Sequence, residues 1–381
     1  MNKTVLFIIL ILLIACKQAK KVELPVLPPT EKSTLDSAKG FTIEKLGSGV
    51  TLIKISSPWP NAETAFTYAL VPKEKMALTS LNKDVYDAII TVPVERFVTT
   101  STTHIPALEA LGVIDKLIGF PDTKYISSIE TRNRIANGKI MELGSNEAIN
   151  TEMVLELNPE VVIGFGIDNQ NKAYNTLQRA NIPVVYNGDW TEETPLGKAE
   201  WIKFFAPFFE KEQKADSIFA RISKSYNEAK TLAEKTTKKP TVLSGALFKD
   251  IWYLPGGKSW AAQFLEDANT HYYWKDTQET GSLSLSMESV LSIAQEADFW
   301  VSPSQYISYE NLQKDNRHYQ QFKAFKNKKV YTFARTRGAT DGLLYYELGP
   351  NRPDLVLKDL IHIFHPELLP DHTPFFFKPL Q

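Results

Sequence analysis

Cysteine is all but absent from this sequence: its 381 residues hold one, Cys16. An intramolecular disulfide is therefore excluded, and so is a metal cage built on paired cysteines. Histidine is scarce too, with six in all. No two stand at a zinc-motif spacing, since His362 and His365 run into Pro366 at a helix end. Neither sign of charge prevails. A net charge of -1 at pH 7 excludes a dominant nucleic-acid surface and a long disordered polyelectrolyte. No apolar run reaches the roughly twenty residues that a spanning helix needs. Phosphate motifs fail as well. Gly256-Gly257-Lys258-Ser259 looks like the end of a P-loop, but the first glycine of that motif would fall at Trp252. Gly164-Phe165-Gly166 follows a strand, but Asn169 stands where a dinucleotide fingerprint has its third glycine. There is no G-x-S-x-G elbow, and no nucleophile, base and orienter assemble. The residues point away from an enzyme.

What is present begins at the N-terminus. A short basic head precedes an unbroken apolar run from Val5 to Ile14, then Ala15 and Cys16. The run is too short to span a membrane but suits the core of a signal peptide. Its end resembles the bacterial lipobox, which implies lipidation of Cys16, a membrane anchor without a spanning helix, and a periplasmic location. A plain secretory signal with an incidental cysteine is the alternative. The expected organisation is a lipoprotein signal peptide over residues 1–15 and a flexible, proline-bearing tether over 16–40. A β extension over 41–90 follows, opened by the β-branched runs at Phe41, Val50 and Thr64.

Beyond it the pattern becomes α/β. Buried-type strands are expected at Arg96–Ser101, Leu117–Phe120, Val161–Gly166 and Ile182–Asn187, with helices at Pro106–Leu111, Thr151–Asn158 and Asn171–Ala180. This alternation predicts a parallel sheet covered on both faces, a first lobe over 91–208. The same pattern returns over 240–381. Strands are expected at Thr241–Leu247, Asp298–Pro303 and Lys328–Phe333, and helices at Ser259–Glu266, Met287–Ala297 and Pro353–Phe364. Phe375 to Phe377 are expected to pack onto the fold. Between the lobes, residues 209–239 contain neither Gly nor Pro. Ile218, Ile222, Tyr226, Ala229 and Leu232 recur at helical spacing there. About thirty helical residues would span roughly 45 Å. The segment reads as a spine helix between two Rossmann-like lobes, the alternative being a surface helix of one large domain. An internal echo supports two lobes. Asn150-Thr151-Glu152 before one buried strand parallels Ser286-Met287-Glu288 before another. Two such lobes form a ligand cleft.

Strand C-terminal ends face the ligand crevice in open α/β sheets. Aromatic and guanidinium groups collect in the loops expected there. Tyr125, Phe165 and Trp190 belong to the first lobe; Trp252, Tyr253, Tyr306, Arg335, Arg337 and Tyr345 belong to the second. Such a set suits a flat or apolar ligand with anionic oxygens, such as a metal chelate. His104 lies in a strand-to-helix loop, where a hydrogen-bonded structural role is the commoner one.

Taken together, RFVTTSTTHIPALEALGVIDKLIGF, INTEMVLELNPEVVIG, LSMESVLSIAQEADFWV and LGPNRPDLVLKDLIHIFHPE resemble the class III bacterial substrate-binding proteins. In this family a helical backbone joins the lobes, and its members serve ABC importers of ferric siderophores, haem and vitamin B12. The resemblance spans about Arg96 to Pro366. It implies a cleft that closes little, no catalysis and no cofactor of its own, the metal being carried by the ligand. It also implies a monomer that hands a small-molecule metal chelate to ABC permease membrane subunits, with no nucleic-acid partner. Two acidic residues, which map to Glu152 and Glu288, would dock onto permease arginines; each also suits a helix N-terminus by charge alone. The β extension departs from the family pattern, and Asn146 stands where the vitamin B12 binders place a stacking tryptophan. Arg335 and Arg337 favour an anionic ferric chelate, with cobalamin or haem next. A chelate-processing enzyme on the same fold is the alternative of a different class, and His104 is its one candidate acid or base.

Overall fold

The structure, a computed structural model, describes residues 29–32, 34–76, 81–146, 148–168 and 170–381. The signal segment and the lipidation reading at Cys16 lie outside the described residues. The first element is a mixed sheet of β1 (Pro29–Lys32), β2 (Phe41–Leu46), β3 (Thr51–Ile55), β4 (Phe66–Pro72) and β5 (Ala88–Val92), in that spatial order. The pairings are antiparallel up to β4, and β5 joins in parallel. The sequence starts this sheet at Phe41, whereas the structure starts it at Pro29. The later part of the segment read as a flexible tether therefore belongs to the fold. Two buried carboxylates fix it. Glu200 accepts the N–H groups of Asp36, Ser37 and Ala38 at 3.0, 2.7 and 2.8 Å. Glu192 accepts those of Lys39 and Gly40, both at 2.8 Å, and the indole N–H of Trp201 at 3.0 Å. Charge-assisted bonds of this kind are among the stronger ones.

The first lobe runs β6 (Phe97–Thr99), α1 (His104–Leu111), β7 (Leu117–Phe120), α2 (Ile129–Ala136) and β8 (Met141–Glu142). A small hairpin follows, β9 (Gly144–Ser145) with β10 (Ala148–Ile149). Next come α3 (Thr151–Leu157), β11 (Val161–Gly164), α4 (Lys172–Arg179) and β12 (Val184–Tyr186). The strands form an all-parallel sheet in the order β12-β11-β6-β7-β8. Their residues explain it: Val161 to Gly164 and Val184 to Tyr186 are buried throughout, as strands covered on both faces must be. Side-chain caps start the helices. Asn150 Oδ1 accepts the Met153 N–H at 3.1 Å, and Asn171 Oδ1 the Tyr174 N–H at 3.0 Å.

Short helices α5 (Pro195–Glu200) and α6 (Ile202–Phe205) lead to the spine, α7 (Glu212–Ala233). Its 22 residues correct the expected 209–239 at both ends and give a length of about 33 Å. Glu210 takes a left-handed φ of 57°, which bars an earlier start. After Ala233, residues 234–239 are all charged or Thr, so no apolar group remains to hold another turn against a core. The stripe is divided between two cores. Ala215, Ile218, Phe219 and Ile222 pack into the first lobe; Tyr226, Ala229 and Ala233 pack into the second.

The second lobe comprises β13 (Thr241–Ser244), β14 (Ala246–Phe248), β15 (Ile251–Pro255), α8 (Trp260–Asp267), β16 (His271–Tyr272), β17 (Ser282–Leu285) and α9 (Met287–Ala294). It continues with β18 (Phe299–Val301), α10 (Tyr309–Asp315), α11 (Lys323–Lys326), β19 (Val330–Thr332), α12 (Leu344–Leu348), α13 (Pro353–Phe364) and β20 (Lys378–Pro379). The main sheet has the order β16-β13-β18-β19-β20, parallel except at its last strand, and β14-β15-β17 form a separate antiparallel sheet. Thr241–Leu247, read as one strand, divides at Gly245. Gly245 has φ 78°, and a Cβ there would lie 1.8 Å from the Tyr253 carbonyl oxygen. Of the three phenylalanines near the end, Phe376 and Phe377 are buried but Phe375 is 41% exposed. The architecture is thus two α/β lobes with parallel sheets joined by one long helix.

Candidate functional site

The C-terminal ends of strands from both lobes open onto one cleft of about 650 Å³. From the first lobe come Thr100, Ser101 and Thr102 after β6, Pro121 and Asp122 after β7, and Phe165 after β11. From the second come Gln305 after β18, and Arg337, Asp341 and Tyr346 after β19. Strand ends of a parallel sheet are where loops are free to vary over a rigid base. A second cavity, of about 370 Å³, lies within the second lobe and shares Tyr346 with the cleft. A groove of about 570 Å³ runs along the spine, but its lining residues come from helices and turns and include no strand end.

The two lobes meet beside the cleft through defined bonds. Glu347 on α12 accepts the N–H groups of Ser127 and Ser128 at 2.5 and 2.9 Å. Asn351 donates to the Thr103 carbonyl at 2.8 Å. The loop after β19 lies so close to the first lobe that a Cβ on Gly338 would fall 2.6 Å from Ser127 Cα. These contacts and the shared spine hold the cleft walls at a set distance.

The residues singled out in the sequence divide. Tyr125, Phe165 and Arg337 line the cleft. Tyr345 does not: it is buried, with its ring 4.5 Å from Phe333 and nearly parallel to it, and reaches only the neighbouring cavity. Its neighbour Tyr346 lines the cleft instead. Trp252 is fully buried, 5.5 Å from Trp300, with its indole N–H on the Ser244 carbonyl at 3.0 Å, so it is a core residue. Tyr306 donates to Asp315 away from the cleft, and Gln305 takes the place expected for it. Arg335 turns from the cleft to the Pro379 carbonyl at 2.6 Å. Trp190 sits on a 3-10 turn outside the cleft lining, where its carbonyl accepts Lys198 Nζ at 2.9 Å. Burial lowers the Lys198 ammonium to about 8.

Sequence reasoning missed the hydroxyl run. Thr99 to Thr103 is Thr-Thr-Ser-Thr-Thr, and three of its members reach the cleft. An uninterrupted hydroxyl run at a strand end was the available signal. Asn146, at the position where the vitamin B12 binders carry tryptophan, also lines the cleft. Asp122 and Asp341 were likewise overlooked.

His104 is not in the cleft lining. It opens α1, fully buried, with Nδ1 against Thr99 Oγ1. The Thr99 hydroxyl donates to the Ile163 carbonyl at 2.9 Å, so the ring donates from Nδ1 and leaves Nε2 unprotonated. Burial pushes its pKa below the ordinary value, against the charge of Asp189. Among the described residues, no group of three or more His, Cys, Asp or Glu is placed to hold a metal ion, and no helix is long and apolar enough to cross a membrane.

Glu152 and Glu288 occupy equivalent places on the two lobes. Each lies in the first turn of a helix and is exposed to solvent. Glu288 has its carboxyl held below the ordinary value by its own backbone N–H and the Ser286 hydroxyl.

Residues 98–335 match the family described as periplasmic binding protein. An uncharacterised lipoprotein of Methanocaldococcus jannaschii is 30% identical over 300 residues, which cover 76% of this chain and 69% of that protein. A periplasmic haem-binding protein of Pseudomonas aeruginosa aligns in structure with a TM-score of 0.57 at 18% identity, over 76% of this chain and 98% of its own. A Staphylococcus epidermidis protein described as a possible iron-binding (periplasmic solute-binding) protein gives 0.56 at 18% identity, over 72% of this chain and 99% of its own. At such identity the structural likenesses speak to the fold.

Proposed function

The chain belongs to the periplasmic binding protein family, and from that premise we propose that it is the ligand-capturing component of an ABC importer. It takes a metal chelate, foremost a ferric siderophore, into the cleft between its lobes and delivers it to permease subunits in the membrane. The observation that carries this reading is the convergence of strand ends from both sheets on one cleft of about 650 Å³, which suits a drug-sized ligand. The iron and haem descriptions of the two structural neighbours are what bring an iron chelate to the fore. Lipidation at Cys16 and a place outside the cytoplasmic membrane complete the reading, supported by the lipoprotein relative. Glu152 and Glu288, one exposed carboxylate per lobe, are the docking groups for a permease. The protein acts by capture and release without turnover, as a monomer.

Fluorescence titration tests this directly, because the cleft is lined by tyrosines and the second lobe holds several tryptophans. The purified chain is titrated with ferric catecholates, ferric hydroxamates, haem and cobalamin, each beside its metal-free form. Saturable quenching by one metal-loaded class at submicromolar concentration is expected. Slow conversion of a bound chelate would move the reading to an enzyme.

A further inference from the structure

We infer that the cleft selects ligands without net negative charge, and that the carboxylate of Asp341 enforces this selection. The inference rests on the reading of the cleft as the ligand site. Arg337 is the one cationic side chain among the cleft-lining residues, and its charge is already matched. Its Nη1 lies 3.0 Å from the Asp341 carboxylate and donates to the Asp341 carbonyl at 3.1 Å, while Nε donates to the Ala334 carbonyl at 2.7 Å. The pair is built into one tight loop. Arg337 and Leu343 form an antiparallel bridge, Gly338 N–H meets the Gly342 carbonyl at 2.9 Å, and Asp341, at a left-handed φ of 70°, donates its N–H to Gly338 at 3.1 Å. Loop closure therefore sets the carboxylate beside the guanidinium without any ligand.

Across the cleft a second carboxylate faces the same space. Asp122 lines it from the first lobe, its Oδ2 accepting the Asn146 N–H at 3.1 Å. Its neighbour Lys124 reaches Oδ1 at 3.2 Å, but that side chain is 64% exposed and lies outside the lining. The cleft thus presents one guanidinium against two carboxylates. Its other polar groups are neutral: the hydroxyls of Thr100, Ser101 and Thr102, the phenols of Tyr125 and Tyr346, and the amides of Asn146 and Gln305. A polyanion entering here would meet a lining with one carboxylate in excess and its one guanidinium already paired, and like-charge contact is what suppresses a wrong ligand. The arrangement fits an uncharged or cationic chelate with carbonyl and hydroxyl oxygens at its surface. This reverses the preference for an anionic chelate drawn from Arg335 and Arg337, because one of those arginines leaves the cleft and the other is neutralised.

The test compares two ferric chelates of different charge on the purified full-length chain: an uncharged trihydroxamate and a trianionic tricatecholate. The uncharged chelate is expected to bind at least about 100-fold more tightly. In Asp341→Asn the ratio of the two affinities should fall about tenfold, through tighter binding of the tricatecholate. Tighter binding of the tricatecholate to the wild type, or an unchanged ratio in the variant, overturns the inference. If neither chelate binds, the chelate reading falls, and citrate, a metal-free trianion followed by the NMR signal of the Arg337 side chain, decides. Saturable citrate binding to the wild type overturns the inference; binding acquired only by Asp341→Asn upholds it.

Discussion

Glu347 on the second lobe accepts the backbone N–H of Ser128 on the first at 2.9 Å. Ser128 is the cap of α2, and its hydroxyl donates to a different carboxylate, Glu109. One serine is therefore held by two acidic groups from opposite sides of the lobe boundary. Burial pushes the Glu347 carboxyl up from 4.5 to about 7, the nearby Glu109 charge adds to the rise, and the N–H donors of Ser127 and Ser128 oppose it.

A pH dependence of stability follows. In the unfolded chain Glu347 titrates near its ordinary value, whereas in the folded chain it keeps its proton to about pH 7. Between these values the unfolded state binds fewer protons. The contribution is therefore complete below about pH 4.5 and is lost as pH rises through about 7. Glu347→Gln should flatten that part of the profile. Urea midpoints of both proteins across the window check it; parallel profiles would count against the assignment.

Core and cleft aromatics should respond in opposite ways. Trp252→Ala empties a fully buried site and is expected to cost about 3–5 kcal/mol of stability. Tyr346→Ala, at a residue 51% exposed and lining the cleft, should lower ligand affinity about tenfold or more with little change in stability. Paired denaturation and binding curves distinguish the two.

Replacing Glu152 and Glu288 together by Ala is expected to leave ligand affinity intact and to abolish uptake in cells. The cost in stability should be small, because both carboxylates are exposed and their attraction to the helix N-termini is screened by solvent. Lost affinity in the titration would remove the docking assignment.

Glu200→Ala should release the entry segment. The change strips three N–H donors of their acceptor and leaves Lys203, 2.9 Å from Glu200, without its nearest partner. Breaking a buried pair on one side costs about 3–5 kcal/mol. Hydrogen exchange should show faster exchange at Asp36, Ser37 and Ala38 than elsewhere in the first lobe; unchanged rates would mean the clamp contributes little.

The sequence made the two-lobed plan visible because periodicity reports it. Ile218, Ile222, Tyr226 and Ala229 fall on one stripe whatever their neighbours do. The α/β alternation needs only runs of buried-type strand residues. The individual cleft residues were less legible. Tyr346 lines the cleft beside the named Tyr345, and Gln305 beside the named Tyr306, each a shift of one. Trp252 and Tyr253 fall on opposite faces of β15, one buried and one exposed, and neither lines the cleft. The matching of Arg337 by Asp341 was hidden as well. A spacing of four residues brings side chains together in a helix, but here a closed loop does so, and that loop depends on φ 70° at Asp341. The end of the tether was lost because its acceptors, Glu192 and Glu200, lie more than 150 residues away in sequence.

The division of α7 between two cores bears on how the molecule comes apart. Melting the first lobe strands Ala215, Ile218, Phe219 and Ile222 in water; melting the second strands Tyr226, Ala229 and Ala233. Neither half of the helix has enough residues to persist alone in water. Loss of either core thus frays the helix that the other one needs. The two lobes form one cooperative unit, and a single calorimetric peak is its signature.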